Sequence, residues 1–214
     1  MKPLRIALAQ GALFNETREA LRAAGLATEA LAEGGRRLLV PAGDVEYVLA
    51  RPGDVPTYVS HGAADLGVVG KDVLLETEAE VLELVDLGYG TCRFVVAAPQ
   101  DSIDRSLDEY RHLGSLEVAT KYPRVAQRHF QQRGIQVEII KLGGSVELAP
   151  QVGLSDWIVD LVSTGRTLKE NHLAIIEEIA TCTARLVANR ASYARDRVRI
   201  AAIATSLEQW AAAQ

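Results

Sequence analysis

Short apolar runs, each closed by glycine or proline and separated by amphipathic stretches, set the fold class of this chain. Leu4–Ala9 is the first such run and predicts a buried strand. Gln10-Gly11-Ala12 turns the chain, and Thr17–Ala24 has helical spacing up to a stop at Gly25. Leu38–Val40 predicts a short strand closed by Pro41, and Val45–Leu49 alternates like another strand. Val55–His61 predicts a helix, with Asp54 just before it, Pro56 in its first turn and Gly62 at its end. Asp65–Gly70 predicts a glycine-flanked strand of the parallel type. The rhythm to this point is β-α-β-β-α-β, that of an α/β lobe.

A second round follows. Cys92–Ala98 is a longer apolar strand stopped by Pro99. Leu116–Thr120, Gln136–Leu142 and Trp157–Leu161 predict strands, while Tyr122–Arg133 and Val146–Val152 predict helices. Leu173–Ala188 mixes helical and extended texture, and its Thr181–Val187 portion predicts a strand returning to the first lobe. Tyr193–Trp210 predicts a closing amphipathic helix. Two α/β rounds joined by long apolar strands predict a two-lobe fold with two crossover strands, built as periplasmic binding proteins are. The first lobe takes residues 1–91 plus 184–214, the second takes 92–183, and ligand is expected in the cleft between them.

Composition narrows the function. A formal net charge of −5 argues against general binding of nucleic acid or anionic membranes. No apolar run reaches the roughly 18 residues of a membrane helix, and Leu4–Ala9 is too short for a signal segment. A soluble, cytoplasmic protein is expected. Cys92 and Cys182 have no partners at metal-ligand spacing and are expected as reduced thiols. His61, His112, His129 and His172 share no metal-like spacing and are read as surface or capping residues. No protein metal site is predicted.

The chemistry concentrates in residues 147–168. The strand at Trp157 ends in an acid, Asp160, and Ser163, Thr164, Gly165 and Thr167 then crowd one tight turn. Such a turn presents backbone N–H groups that suit a phosphate. A carboxylate just before it suits sugar hydroxyls, because it accepts two hydrogen bonds at once. Together they predict a ribose 5-phosphate site. The alternative is a plain Ser-Thr-Gly turn with a capping acid.

The longer spacing resembles the signature of the ATP phosphoribosyltransferase family: Glu147, Gly153 six residues on, Asp160 seven further, then Thr164-Gly165-x-Thr167-Leu168. The blocks Arg51-Pro-Gly-Asp-Val-Pro56, Asp65-Leu-Gly-Val-Val-Gly70-Lys-Asp72, Gly90-Thr-Cys-Arg93 and Ala119-Thr-Lys-Tyr-Pro123 also resemble that family. One departure stands out: Gln10-Gly11-Ala12 occupies the place of the family's usual Lys-Gly-Arg, so two cations are missing there.

The resemblance implies the two-lobe architecture and the first reaction of histidine biosynthesis. In that reaction the 5-phosphoribosyl group of phosphoribosyl pyrophosphate (PRPP) moves to N1 of the adenine of ATP, and pyrophosphate leaves. It implies PRPP contacts at Glu147, Asp160, Ser163, Thr164, Gly165, Arg166 and Thr167, and catalytic cations at Arg36 and Arg51. A surface salt bridge is the alternative for each arginine. ATP contacts are placed at Gln10, Gly11, Gly70 and Tyr89. The two substrates bring many negative charges to an acidic protein, so Mg2+ bound mainly through substrate phosphates is expected. The length resembles the short form of the family, whose catalytic subunits work with a regulatory subunit resembling histidyl-tRNA synthetase, as a hetero-octamer. A non-enzymatic binder of small anions, and a phosphoribosyltransferase acting on another base, are the alternatives.

Overall fold

The computed structural model describes residues 3–32, 37–102 and 116–214. The chain divides into two compact units, Met1–Thr91 with Thr183–Gln214, and Cys92–Cys182. Thr183, assigned to the second lobe from the sequence, falls in the first. Its carbonyl accepts the Lys71 N–H, and its Oγ1 donates to Asp86 (2.6 Å).

Among the described residues the first unit carries a six-stranded sheet. Its strands are β1 (Leu4–Ala9), β2 (Leu39–Ala42), β3 (Val45–Ala50), β4 (Leu66–Gly70), β5 (Leu82–Asp86) and β11 (Ala184–Ala188), in the order β2-β3-β1-β4-β11-β5. β1 lies parallel to both β3 and β4. Apolar side chains pack on both faces: α1 (Phe14–Ala23) and the helix Arg197–Ala212 cover one, α3 (Val55–Ser60) and α4 (Lys71–Thr77) the other, and the short α2 spans Glu29–Ala32. Double coverage explains why β1 and β4 are near-continuous apolar runs instead of alternating ones. Gly67 is a packing requirement: a Cβ there would lie 2.7 Å from a Val59 methyl, so only glycine lets α3 sit so close to β4.

A buried polar network fastens the C-terminal segment to this sheet. Asp65 Oδ1 accepts Ser192 Oγ (2.6 Å) and an Arg195 N–H (2.7 Å), while Oδ2 accepts the Arg5 amide (2.9 Å). Asn189 caps the next helix by accepting the Ser192 N–H (2.9 Å) and donates to the Val59 carbonyl (2.9 Å).

Several elements differ from the sequence expectation. Pro41 does not close β2 but lies within it, tolerated because β2 is an edge strand. β5 was not foreseen; it is short and only partly buried. The closing helix is two helices, Arg190–Arg195 and Arg197–Ala212, separated at Asp196.

The second unit carries β6 (Cys92–Pro99), β7 (Leu116–Thr120), β8 (Val137–Lys141), β9 (Trp157–Val162) and β10 (Leu173–Cys182), in the order β10-β6-β9-β7-β8. β10 is a ten-residue strand where mixed texture was read. Bulges after Ile175 and Glu178 break its alternation, which hid it. The residues returning to the first unit are Ala184–Ala188, not Thr181–Val187. In place of the helix expected over 146–152 there are two short 3-10 turns, Val146–Leu148 and Pro150–Val152.

The helix α5 (Pro123–Gln132) buries Ala126 and Phe130 against one face of the sheet, beside the fully buried Trp157. An aromatic side chain of this kind buries about 150–250 Å², which stabilises by roughly 4–6 kcal/mol. That anchors the start of β9. His129, read as a surface residue, is instead buried on α5, with Nε2 3.2 Å from Glu177.

Candidate functional site

β7 and β9 are parallel neighbours, so the turns after them leave the same edge of the sheet, where open α/β sheets bind ligands. Thr120, fully buried, joins the two strand ends. Its Oγ1 donates to the Val159 carbonyl (2.7 Å) and accepts the Tyr122 N–H (2.8 Å). Beside that junction lies a cavity of about 280 Å³, lined by Glu147, Asp160 and the stretch from Leu161 to Leu168. The structure thus brings together all seven residues read from the sequence as the sugar-phosphate site.

The turn after β9 reverses through Gly165, whose φ of +74° is left-handed and favours glycine. A short helix, α6 (Arg166–Glu170), follows, held down by buried Leu168. Arg166 pairs with Glu170 on the solvent side (2.7 Å). Among the described residues the amides of Ser163, Thr164, Gly165, Thr167 and Leu168 find no acceptor. A cluster of such donors suits an anion.

Two carboxylates face the same cavity. Asp160 Oδ1 accepts its neighbour's Leu161 N–H (2.8 Å). Burial pushes the Asp160 carboxyl above its ordinary range; that hydrogen bond opposes the shift, the charge of Glu147 adds to it, and Lys121 opposes it. Glu147 is carried on the 3-10 turn Val146–Leu148, whose Val146 and the following Ala149 are buried under the sheet. Donors on one wall and acceptors on another suit a phosphorylated sugar: phosphate to the amides, diol to the acids. Leu161, Val162 and Leu168 also line the cavity, through a register that their residue types do not signal. The influence of Lys121 on Asp160 likewise follows from strand order, not from sequence distance.

The remaining sequence-predicted residues lie in the first unit. Arg51 is exposed in an extended conformation before the 3-10 turn Pro52–Asp54, and among the described residues its side chain makes no salt bridge. Arg36 lies outside the described residues. The Gln10 amide donates to the Ala50 carbonyl (2.9 Å), and Gly11 is exposed with φ +116°. Gly70 ends β4, with the Asp72 carboxylate lying where a Cβ would project. The Tyr89 hydroxyl is hydrogen-bonded to Thr17 Oγ1 (2.6 Å) and its ring stands edge-on to Trp210, which gives it a core role.

Among the described residues no three His, Cys, Asp or Glu side chains gather to hold a metal ion. Two acids on one cavity, Glu147 and Asp160, nevertheless fit Mg2+, which commonly takes one or two carboxylates and completes its shell with substrate phosphates and water. Among the described residues no helix is long and apolar enough to cross a membrane.

Comparison with known proteins identifies the family. The family model described as HisG, ATP phosphoribosyltransferase, matches residues 51–209. An ATP phosphoribosyltransferase from Rubrobacter xylanophilus is 55% identical over 193 residues, covering 90% of this chain and 89% of that protein. One from Moorella thermoacetica is 52% identical over 210 residues, covering 96% and 92%. The solved ATP phosphoribosyl transferase (HisG:HisZ) complex from Thermotoga maritima contains a chain that is 37% identical, with a TM-score of 0.83, covering 99% of this chain and 100% of that one. A periplasmic sulfonate-binding protein, SsuA, from Methylobacillus flagellatus KT is 18% identical, with a TM-score of 0.63 over 98% of this chain and 68% of that one, a likeness of fold alone. With a family model over most of its length and relatives above half identity nearly end to end, the chain belongs to the ATP phosphoribosyltransferase family.

Proposed function

We propose that this protein transfers the 5-phosphoribosyl group of PRPP to N1 of the adenine of ATP, releasing pyrophosphate, the first step of histidine biosynthesis. The observation that carries the reading is the single cavity in which Glu147 and Asp160 face the donor-rich turn 163–168, in a member of this family. In this reading Asp160 and Glu147 accept the ribose hydroxyls. The amides and hydroxyls of Ser163, Thr164, Gly165 and Thr167 hold the 5-phosphate.

The reaction breaks a bond at an anomeric carbon, where positive oxocarbenium character develops. Carboxylates close to the ring favour that charge. Adenine N1 has a free lone pair at neutral pH, so no strong general base is required. The protein's part is then orientation, exclusion of water and charge stabilisation on the leaving pyrophosphate. Arg51, exposed and without a salt bridge among the described residues, is assigned to substrate phosphates together with Arg36. Mg2+ would be held mainly by substrate phosphates and water, with Asp160 and Glu147 as the nearby acids, and would supply charge neutralisation for the leaving pyrophosphate. Gln10, Gly11 and Gly70 are kept as contacts for ATP, whereas Tyr89 would act only through its support of the core.

A regulatory partner belongs to the same reading, supported by the Thermotoga maritima relative, which was solved as a complex. We expect a subunit resembling histidyl-tRNA synthetase and a hetero-octamer, tested by light scattering with and without that subunit. A cytoplasmic location follows from the biosynthetic role. The decisive assay is pyrophosphate release from ATP and PRPP. Release that requires both substrates supports the proposal; release with another base in place of ATP, or PRPP binding without release, overturns it.

A further inference from the structure

Cys92 and Cys182 are far apart in sequence, yet the fold places them directly opposite each other. They form the last pair of the antiparallel β6–β10 ladder, and the pairs Phe94–Ala180, Arg93–Thr181 and Cys92–Cys182 run in unbroken register. Directly opposed residues of an antiparallel pair point to the same face and have Cα atoms about 4.5–5.5 Å apart. A disulfide needs Cα atoms about 4.4–6.8 Å apart. The two cysteines differ in access. Cys182 is fully buried, whereas Cys92 is half-buried and reachable from solvent.

We propose that Cys92 and Cys182 are a reversible oxidation site, at which a cross-strand disulfide closes and ties together the two ends of the second unit. The second unit begins at Cys92 and ends at Cys182, so the bond closes a loop containing the whole unit. It also sits beside the sugar-phosphate turn: Arg93 pairs with Val162, the residue before Ser163. The oxidant is a low-molecular-weight disulfide such as glutathione disulfide. The Cys92 thiolate, its proton lost to water, attacks one sulfur of that disulfide; a mixed disulfide forms and one glutathione thiolate leaves and takes up a proton. Cys182, once deprotonated, attacks the Cys92 sulfur, and the second glutathione leaves in the same way. Two cysteine thiols are oxidised and one glutathione disulfide is reduced to two thiols, so hydrogens and electrons balance. The half-buried thiol receives the oxidant and the buried one resolves it. The closed bond prevents β6 and β10 from fraying at this end.

The test equilibrates the full chain in glutathione buffers of stepped oxidation, quenches with acid, alkylates under denaturing conditions and reads intact mass and a non-reducing peptide map. Both thiols should disappear together, through a link within one chain that a dithiol reductant reverses. Amide exchange at Cys92, Arg93 and Thr181 should slow in the oxidised form. Cys182→Ala should stop at a single glutathione adduct on Cys92, and Cys92→Ser should leave Cys182 unmodified. Full alkylation of both thiols at the most oxidising ratio, a wild-type chain halted at one adduct, or a link between two chains overturns the proposal. If Cys182→Ala does not fold, the wild-type map and Cys92→Ser still decide.

Discussion

Asp160→Asn should separate substrate binding from stability. The wild-type carboxyl is held above its ordinary range by burial, with Glu147 adding to the shift. A carboxyl whose pKa is higher folded than unfolded favours the native state most below its unfolded pKa of about 3.9. That contribution disappears as pH rises through the folded value. Asparagine has no such proton to lose and can still accept the Leu161 N–H through Oδ1. At neutral pH the variant should therefore melt at or above the wild-type temperature, and the difference should shrink or reverse in acid. Binding should move the other way. A hydroxyl donating to a carboxylate contributes about 1.5–3 kcal/mol, so losing one such bond at Asp160 costs about 10–10²-fold in PRPP affinity. The assay is thermal unfolding with and without PRPP. At a PRPP concentration about 100 times Kd the wild type gains about 2.7 kcal/mol. The variant, weakened about tenfold to a hundredfold, should gain only about 0.4–1.4 kcal/mol at the same concentration. A variant that keeps the full PRPP shift refutes the role of the carboxylate; one that melts well below wild type at neutral pH refutes the account of its burial.

Three further outcomes follow from the same contacts. Gly165→Ala places its methyl in open space but leaves a left-handed backbone to an L-residue; a cost of about 1–2 kcal/mol should appear chiefly as a weaker PRPP shift, and an unchanged shift would show that the turn tolerates another conformation. Thr120→Val removes the hydroxyl joining β7 to β9 and strands the Tyr122 N–H. It should cost about 1–3 kcal/mol, read as a fall of roughly 2–4 °C in Tm per kcal/mol; no fall would deny the junction a structural role. Asp65 has the opposite sign from Asp160: burial acts to raise its carboxyl, but hydrogen bonds from Ser192, the Arg5 amide and Arg195 outweigh it and hold it below the ordinary range. Its stability contribution is present above the unfolded pKa of about 3.9 and is lost as pH falls through the folded value. Asp65→Asn should melt below wild type at neutral pH, with the gap closing in acid; a gap independent of pH would contradict this.

The sequence by itself determined the two α/β rounds and marked residues 147–168 as two acids beside a turn rich in glycine and hydroxyls. Both signals are local. Strands buried on both faces are nearly continuously apolar, as Leu66–Gly70 is and as Leu4–Ala9 is except for Arg5, and a turn that suits phosphate needs glycine and hydroxyls at fixed spacing. Elements whose character depends on distant neighbours were not legible. β10 hides behind two bulges that only its pairing with β6 explains, and Pro41 is accommodated because β2 lies at an edge. Tertiary structure alone decided which strand ends meet. Parallel pairing of β7 and β9 brings Lys121 to bear on Asp160, and antiparallel pairing of β6 and β10 sets Cys92 against Cys182. Periodicity along a chain records which face is buried, but register between strands far apart in sequence is fixed only when they pack.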